Sequence, residues 1–563
     1  MLRNDPRATS IKTSAFSILS LPGLTRQSRR SRQSLDARVK PGHDNLKCES
    51  AILSRLTGTI GRHALGLALA AALLPAAASQ AQAAGTLTVA LRQDPGSWDP
   101  IDTFLVAWGS VGSQIFDGLV MRGPDLKLVP GLATSWEFLD DANRIRFHLR
   151  QGVTFQNGEG FDAAAVKFTF DRLLGAEGAK GPQQSNYNSI DHVVMVDDHT
   201  VDFVMKRPDP VLLTKLAGYG AMIVPPKYLA EKGDDAFNSA PIGTGPFKVV
   251  AYEPKVSLTL EANPNYWGGA PKIDKLVYRF IAESSTRVAE LQAGRVDVAT
   301  QVEVAQVPVI SQDPKLQIVS VPGPTVYAMR FNTKDPLTAK EEVRKAIIMA
   351  VDRDTIVKTV LAGQAEPIVS FQSRLSFGYP PDLKPLPFDP AGAKALLAQA
   401  GVKPGTPLQL DFRGDNATLR EVLQAVAGYL QMVGFKATLK PYESNVFLND
   451  IVPNGKTGPL FQEGWGGWTF DYDNTAYLMY HTGEKWNPYD SIPELDAMLE
   501  AQRKTYDPAE REKTLQAVAG YVADKAMELP LYNSNTIYGV SKRVQNANLP
   551  SDERMRFVDA TVE

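Results

Sequence analysis

The order of apolar and polar positions after residue 84 predicts regular secondary structure. The segment 87–91 (LTVAL) has the pattern of a β-strand, and Asp94-Pro95-Gly96 follows it as a turn. Strand and helix signals then alternate to the C-terminus. This alternation predicts an α/β protein.

Two predicted helices begin with the same pair of residues. Asp389 is suited to cap a helix that starts at Pro390 and closes at Gly401. Asp507-Pro508 repeats this start ahead of a second amphipathic stretch. Because the cap and its first turn are adjacent in sequence, both helix starts are local predictions.

A third helix is predicted from a different signal. Thr418 and Glu421 have the spacing of a capping box, in which each side chain bonds the backbone N–H of the other's position. The helix is expected to run from this box to Met432, with Gly434 just beyond its end.

The segment before residue 84 differs from the rest. Arg55, Arg62 and His63 precede an apolar run over 64–74, and Ala-Gln-Ala follows at 81–83. This is the order of a secretory signal peptide, and the run is far shorter than the roughly 20 residues that span a bilayer. The alternative is a short buried helix. The order of the parts favours a signal peptide cleaved near Ala83 and a periplasmic mature protein.

Length and charge narrow the class of protein. The 563 residues, 44% hydrophobic and 22% charged, indicate a soluble protein of two to four lobes. Residues 1–83 contain 12 Lys or Arg and 4 Asp or Glu, which leaves 48 basic and 58 acidic residues, a net charge of −10. Such an acidic, exported chain is a poor candidate for binding nucleic acid. The one cysteine, Cys48, lies in the leader, so the mature chain would have no disulfide.

No catalytic or metal-binding pattern is recognisable after residue 84. The histidines there, His148, His192, His199 and His481, have no His, Cys or carboxylate partner at a metal-ligand spacing. The Gly-Lys-Thr at 455–457 lacks the upstream glycine of a phosphate-binding loop, and there is no G-x-S-x-G nucleophile elbow. We therefore expect neither an enzyme nor a cofactor or metal site.

The most unusual local composition is GWGGWTFDYD at 464–473. Its glycines allow close approach of another backbone, its tryptophans offer rigid contact area, and its aspartates can hold an ammonium group. These properties suit a cleft for an extended, amine-bearing ligand. A glycine-rich turn that closes a core strand is an equally good interpretation of the composition alone.

Over residues 86–545 the chain resembles the oligopeptide-, dipeptide- and nickel-binding type of ABC-importer solute-binding proteins, family 5. The most diagnostic stretch is FHLRQGVTFQNGEGFDAAAVKFTFDRLL at 147–174. Other matching segments, in family order, are LTVALRQDPGSWDP (87–100), IFDGLV (115–120), LVPGLATSWE (128–137), GTGPFKVVAYEP (243–254), NPNYWGGAPKIDKL (263–276), LQAGRVDVA (291–299), FNTKDPLTAKEEVRKAIIMAVDRDTIV (331–357), DPAGAKALLAQAG (389–401) and LPLYNS (529–534).

The resemblance implies a two-lobed α/β periplasmic binding protein of the class II type, with an additional inserted domain. Lobe I would be discontinuous, built from residues 84–126, 243–328 and 535–563. The inserted domain would span 127–242, and lobe II would span 329–534. Residues 1–83 would be the N-terminal extension and signal peptide.

The resemblance also implies a ligand site in the W-x-x-D segment. In peptide-binding members, the strand before this segment pairs with the ligand backbone, and its Asp receives the ligand's α-ammonium. The matching residues here are Gly467, Trp468, Thr469 and Asp471. Asp471 is therefore the expected amine anchor.

Further site residues follow from the same resemblance. Dipeptide binders receive the ligand carboxylate on an Arg that matches Arg413 here, although Arg413 could equally be a surface residue of a turn. Lobe I would contribute Thr103 and Phe104. Trp465 stands where oligopeptide binders usually carry a basic residue, which suggests a more apolar or stacking pocket.

These features predict a monomeric periplasmic receptor of an ABC importer. It would capture a di- or oligopeptide between two closing lobes and deliver it to a membrane permease with ATPase subunits. The alternatives are the same receptor for glutathione, an opine, an oligosaccharide or a metal chelate, which Trp465 motivates, and an exported hydrolase. The hydrolase would require a catalytic constellation that the sequence does not show.

Overall fold

A computed structural model describes residues 85–140 and 143–563. The predicted signal peptide and its cleavage site lie outside these residues. The described residues form part of one compact unit, a mixed α/β structure, as the alternation of signals predicts. None of its helices combines the length and apolar content needed to cross a bilayer.

The strands and helices have the following bounds. The strands are β1 (Thr86–Leu91), β2 (Val120–Arg122), β3 (Leu128–Pro130), β4 (Ala133–Leu139), β5 (Arg144–Leu149), β6 (Ile190–Asp197), β7 (Thr200–Met205), β8 (Phe247–Glu253), β9 (Ser257–Ala262), β10 (Lys275–Phe280), β11 (Val298–Ala299), β12 (Leu316–Phe331), β13 (Ala365–Pro367), β14 (Pro407–Arg413), β15 (Lys436–Tyr442), β16 (Leu460–Gly466), β17 (Glu528–Ser541), β18 (Val544–Gln545) and β19 (Thr561–Val562). The α-helices are α1 (Val106–Ile115), α2 (Ala163–Leu174), α3 (Leu212–Leu216), α4 (Pro226–Ser239), α5 (Ser284–Gln292), α6 (Val307–Ser311), α7 (Glu341–Met349), α8 (Arg353–Thr359), α9 (Pro390–Gln399), α10 (Ala417–Met432), α11 (Ser444–Val446), α12 (Tyr472–Tyr480), α13 (Pro493–Gln502) and α14 (Pro508–Asp524). Short 3-10 helices occur at Gly178–Lys180, Gln184–Tyr187 and Val304–Gln306, and a π-helical turn at Phe447–Ile451.

The largest sheet joins two halves of the molecule. Its strand order is β15-β14-β16-β12-β17-β11-β1-β10-β9-β8, and β13 pairs with β17. We call β1 and β8–β11 the first half and β14–β16 the second half. The long antiparallel pair of β12 and β17 runs between them, with an irregularity in pairing between Pro322 and Val326. The chain therefore crosses between the halves on these two strands.

Each half has its own hydrophobic core. The first half packs on α1 through residues such as Trp108 and Tyr278, and the second half packs on α7, α9 and α10. A separate antiparallel sheet, in the order β4-β5-β7-β6, forms a third core with α2, including Phe147 and Phe203. This sheet lies within residues 127–242. The domain boundaries given above stay a prediction.

The observed N-caps can be compared with the predicted helix starts. The Asp389 side chain accepts a hydrogen bond from the Gly392 N–H at 2.9 Å, and Asp507 caps α14 in the same way. The prediction of a capping box at Thr418 is wrong. The N-cap of α10 is Asn416, whose side-chain oxygen accepts from the Leu419 N–H at 2.9 Å, so Thr418 lies inside the first turn.

Three ionisable side chains lie buried where β12, β16 and β17 meet. The Arg330 guanidinium donates to the carbonyls of Met479 and Trp486, both at 2.7 Å. Glu463 and Glu528 lie on the two neighbouring strands, each 3% exposed. Burial raises the pKa of both carboxyls to about 7, although the Arg330 charge lowers it. Both are therefore largely protonated below neutral pH.

We expect Glu463→Gln to change how stability depends on pH. The folded-state pKa of Glu463 is above its unfolded value, so wild-type stability falls as pH rises from about 4.5 to about 7 through this group. The variant cannot ionise there. Its melting temperature relative to wild type should therefore rise across this window, as measured by thermal unfolding at a series of pH values.

Glu290→Gln provides the control of opposite sign. Arg295 and Arg279 lower the pKa of Glu290 to about 2, so its stabilisation is present above its unfolded pKa and is lost only as pH falls towards 2. That variant should lose stability relative to wild type at neutral pH. A Glu463→Gln difference that does not vary with pH would contradict the buried, protonated state of Glu463.

Candidate functional site

A cavity of about 480 Å³ is lined by residues from the side of the first half of the sheet and from the side of the second half. Phe104, Val106 and Tyr219 come from the side of the first half, while Trp465 and Trp468 come from the side of the second. The other lining residues are Asn186, Pro324, Thr325, Gly466, Asn474, Leu478, Asp552 and Arg554. Four aromatic side chains therefore dominate a lining that has few charged groups.

Trp465 is held at the end of β16. Its strand pairs antiparallel with β12, which places Trp465 opposite Val326 and Gly466 opposite Thr325. The Trp465 indole N–H donates to the Asn474 side-chain oxygen at 3.0 Å, and the ring meets Trp486 edge-on at 6.1 Å between centroids. Its orientation towards the cavity is thus fixed on two sides.

Trp468 touches the opposite wall of the cavity. Its ring centroid lies 6.0 Å from that of Phe104. It also lies against Gly218, where an added Cβ would come within 2.7 Å of the Trp468 ring. Gly218 is therefore needed for the close approach of these two segments.

The backbone around Trp468 is tightly folded. The Gly467 N–H donates to the Pro324 carbonyl at 3.2 Å, and Phe470 adopts a positive φ of 50°, which is unfavourable for an aromatic residue. The Thr469 carbonyl accepts a hydrogen bond from the Arg122 guanidinium, which also lies 5.0 Å from the Phe470 ring centroid. These contacts stabilise the turn that presents Trp468.

Asp471 forms a buried ion pair. It is 5% exposed, and its two carboxylate oxygens each accept from the Arg511 guanidinium at 2.7 Å. One oxygen also caps α12 by accepting from the Asp473 N–H at 3.0 Å. Arg511, on α14, was not anticipated from the sequence. The amine-anchor role of Asp471 stays a prediction, and an ammonium could reach this carboxylate only in competition with Arg511.

Asp473 has a similar partner. The Arg503 guanidinium donates to its two oxygens at 2.7 and 3.0 Å. Burial alone would raise the pKa of Asp473, but Arg503 outweighs this effect and the pKa is lowered. Asp471 and Asp473 are therefore each paired with an arginine inside the protein.

The structure brings together only some of the predicted site residues. Phe104, Trp465 and Trp468 line the cavity. Gly467, Thr469, Asp471, Arg413 and Thr103 do not belong to this lining. The roles of all eight residues in ligand binding stay predictions.

Two of these residues, Thr103 and Arg413, make contacts elsewhere in the structure. Thr103 is buried, and its hydroxyl accepts from the Leu105 N–H at 3.0 Å. Arg413 is the last residue of β14 and lies near enough to the Glu463 carboxyl to lower its pKa. Neither contact involves the cavity.

Sequence reasoning missed the charged residues of the cavity. Arg554 donates to the Asp552 carboxylate through its Nε at 2.6 Å and lies 5.8 Å from the centroid of the Tyr219 ring. It also donates to the Ala217 carbonyl. No local motif marks Asp552 or Arg554, since they meet the cavity only through the return of the C-terminal segment to the first half.

Metal ligation has no candidate in the described ranges. No group of three or more His, Cys, Asp or Glu side chains comes together there as a metal ion would require. What the cavity offers instead is aromatic contact area, main-chain groups near Thr325 and Gly466, and one buried ion pair.

Comparison with known proteins identifies relatives over most of the chain. The family model described as bacterial extracellular solute-binding proteins, family 5 Middle, matches residues 127–487. The glutathione-binding protein GsiB of Salmonella paratyphi A is 27% identical over 510 residues, which cover 89% of this chain and 98% of GsiB.

Solved structures have the same fold. HbpA2 from Haemophilus parasuis superposes with a TM-score of 0.78 at 24% identity, covering 85% of this chain and 100% of HbpA2. AgaA from A. tumefaciens R10, solved in complex with agropinic acid, has a TM-score of 0.67 at 28% identity and covers 85% and 99%. The expected two-lobed periplasmic-binding-protein fold is confirmed.

We expect Arg511→Met to destabilise the protein strongly. Removing one partner of a buried ion pair leaves the other charge uncompensated, which costs about 3–5 kcal/mol. The free energy of unfolding in urea measures this loss. Arg295→Met is the matched control, because its pair with Glu290 is solvent-exposed on the arginine side and exposed ion pairs contribute little to stability. Equal losses in the two variants would contradict a structural role for the Asp471–Arg511 pair.

Proposed function

Because this chain belongs to family 5 of the bacterial extracellular solute-binding proteins, we propose that it is the periplasmic receptor of an ABC importer. It captures a di- or oligopeptide in the cavity between the two halves and delivers it to a membrane permease. The observation that carries this proposal is the cavity itself, whose aromatic walls come from both halves.

The dimensions and lining of the cavity support a small peptide as ligand. Ligand sites commonly have about 300–1,000 Å³, and this cavity has about 480 Å³. Trp465, Trp468 and Phe104 supply contact area for apolar side chains. Thr325 and Gly466, at the end of a strand pair, bring peptide groups to the wall, where an extended backbone can pair with them.

A peptide ligand also agrees with the relative that is named for its ligand. GsiB is called a glutathione-binding protein, and glutathione is a tripeptide. The position of Trp465 gives the cavity an apolar wall where a basic side chain was expected from oligopeptide binders. This wall favours a ligand with at least one apolar side chain.

Ligand capture would be coupled to closure of the lobes. Phe104 and Trp468 meet across the cavity, and Arg122 reaches the Thr469 carbonyl from the other side. A ligand that touches both walls binds the closed form more tightly than the open form, so it shifts the population towards closure. The closed form of a monomeric receptor would then dock on the permease, whose ATPase subunits drive transport.

We expect peptides to stabilise the protein against heat. Residues 84–563 would be melted with panels of dipeptides, tripeptides, glutathione, oligosaccharides and metal chelates. A ligand at about 100 times its dissociation constant adds roughly 2.7 kcal/mol to the stability of the native state. A shift only with sugars or chelates would contradict the peptide assignment, and hydrolysis of the peptide during incubation would contradict the receptor role.

We expect Phe104→Ala to weaken binding of the best peptide by about tenfold or more. Its ring forms one wall of the cavity, and truncation of a central aromatic contact commonly costs more than about 1.4 kcal/mol. Phe388→Ala is the matched control, since the two side chains are 42% and 44% exposed and Phe388 does not line the cavity. Calorimetric titration would measure the peptide affinity of both variants. Equal losses of affinity would mean that the ligand binds outside this cavity.

A further inference from the structure

A contact outside the ligand cavity joins the two sides of the molecule. The hydroxyl of Tyr506, which lies between α13 and α14, accepts a hydrogen bond from the Asp209 N–H at 2.8 Å. The Tyr506 ring also meets the ring of Phe138 on β4 edge-on, with 5.4 Å between the centroids. These three residues do not belong to the lining of the cavity.

Phe138 and Asp209 belong to the side of the first half. They lie in and next to the four-stranded sheet whose core includes Phe155. The side chain of Gln156, the next residue, donates to the carbonyl of Phe247 at 2.7 Å, and Phe247 is the first residue of β8. This hydrogen bond ties the four-stranded sheet to the first half of the large sheet.

Tyr506 belongs to the side of the second half. The two helices that flank it contribute Leu499 and Leu515 to one hydrophobic core, and Trp465 of β16 packs against that core. This core is separate from the core of the four-stranded sheet. The contact of Tyr506 therefore connects two bodies that are packed independently.

The Asp209 partner of this contact is held in place by its own hydrogen bonds. Its carboxylate accepts from the Ser189 hydroxyl and from the Lys215 ammonium group, both at 2.7 Å. Because the N–H group is positioned in this way, its bond to Tyr506 orders few additional groups when the two sides meet.

The ring contact adds burial of apolar surface. Phe138 is 45% exposed in this arrangement, and Tyr506 covers part of its ring. Separation of the two sides would return the covered surface to water, which is unfavourable. Tyr506 thus contributes both a hydrogen bond and an apolar contact to the closed form.

We propose that Tyr506 is a latch that stabilises the closed form and so sets the affinity for every ligand without touching any of them. This inference rests on the receptor function proposed above. The apparent affinity is proportional to the fraction of free protein in the form that binds tightly. Because the latch does not involve the ligand, it favours closure equally whatever the cavity holds.

Tyr506→Ala should lower the ratio of closed to open free protein by about tenfold, since it removes both contacts. Tyr506→Phe keeps the ring and loses only the hydroxyl, so it should lower the ratio by about threefold. The affinities for glutathione, Met-Leu and Ala-Ala, measured by calorimetric titration, should fall by one common factor in each variant. That factor should equal the loss in the closed fraction.

Phe138→Ala removes the ring contact from the other side and has a matched control. Phe388 is 44% exposed, and its ring meets Tyr429 edge-on at 5.7 Å between centroids, within the side of the second half. Phe138→Ala should weaken the binding of all three peptides by about threefold or more. Phe388→Ala should leave their affinities unchanged, because its contact does not join the two sides.

The closed fraction of the free protein can be measured with spin labels. The one cysteine of the chain, Cys48, lies outside residues 84–563, so introduced cysteines would be labelled without background. Met195→Cys on β6 and Lys513→Cys on α14 place exposed labels on the two sides. We expect two populations of distances between the labels, and Tyr506→Ala should deplete the shorter one.

The outcomes distinguish the latch from the function on which it rests. An unchanged distance distribution in Tyr506→Ala would overturn the latch, as would affinities that fall for one peptide and not for the others. Either result would leave the peptide receptor intact. Failure of all three peptides to bind the wild-type protein would contradict the peptide receptor, while the label distances would still show whether Tyr506 holds the two sides together.

Discussion

The buried pair of Asp471 and Arg511 is the interaction on which the ligand cavity depends. It fixes the start of α12 and therefore the end of the turn that carries Trp468 and Phe470. Phe470 keeps its unfavourable positive φ only because contacts on both sides of the turn hold it. Without the pair, a buried carboxylate would lack compensation, and the aromatic wall formed by Trp468 would lose its support.

Acidic groups in and around the cavity are paired with arginines of the protein. On the side of the second half, Asp473 is paired with Arg503, which directly follows α13, and Asp471 is paired with Arg511 of α14. On the side of the first half, the charged lining residues Asp552 and Arg554 are paired with each other. An apolar cavity whose charges are paired in this way suits a peptide that has apolar side chains.

Sequence reasoning succeeded where the interaction is local. Asp389 caps its helix because the cap lies only three residues before the N–H group that it accepts from. Trp465 and Trp468 were singled out because they lie in one short segment, and both line the cavity, while their role in ligand binding stays a prediction. It failed at Thr418, where the earlier Asn416 serves as the cap. Arg511 and Arg554 could not be predicted, since each acts through contacts that depend on the folded arrangement of distant segments. The α/β class follows from the alternation of strand and helix patterns along the sequence. The ion pairs between residues distant in sequence can be seen only in the folded structure.

A crystal structure of the protein with its tightest-binding peptide tests the account most directly. The account predicts a peptide between Trp465, Trp468 and Phe104. The Asp471 carboxylate would remain bound to Arg511. A peptide ammonium on Asp471 with Arg511 displaced would contradict the structural role of this ion pair. A peptide bound outside this cavity would contradict the assignment of the site itself.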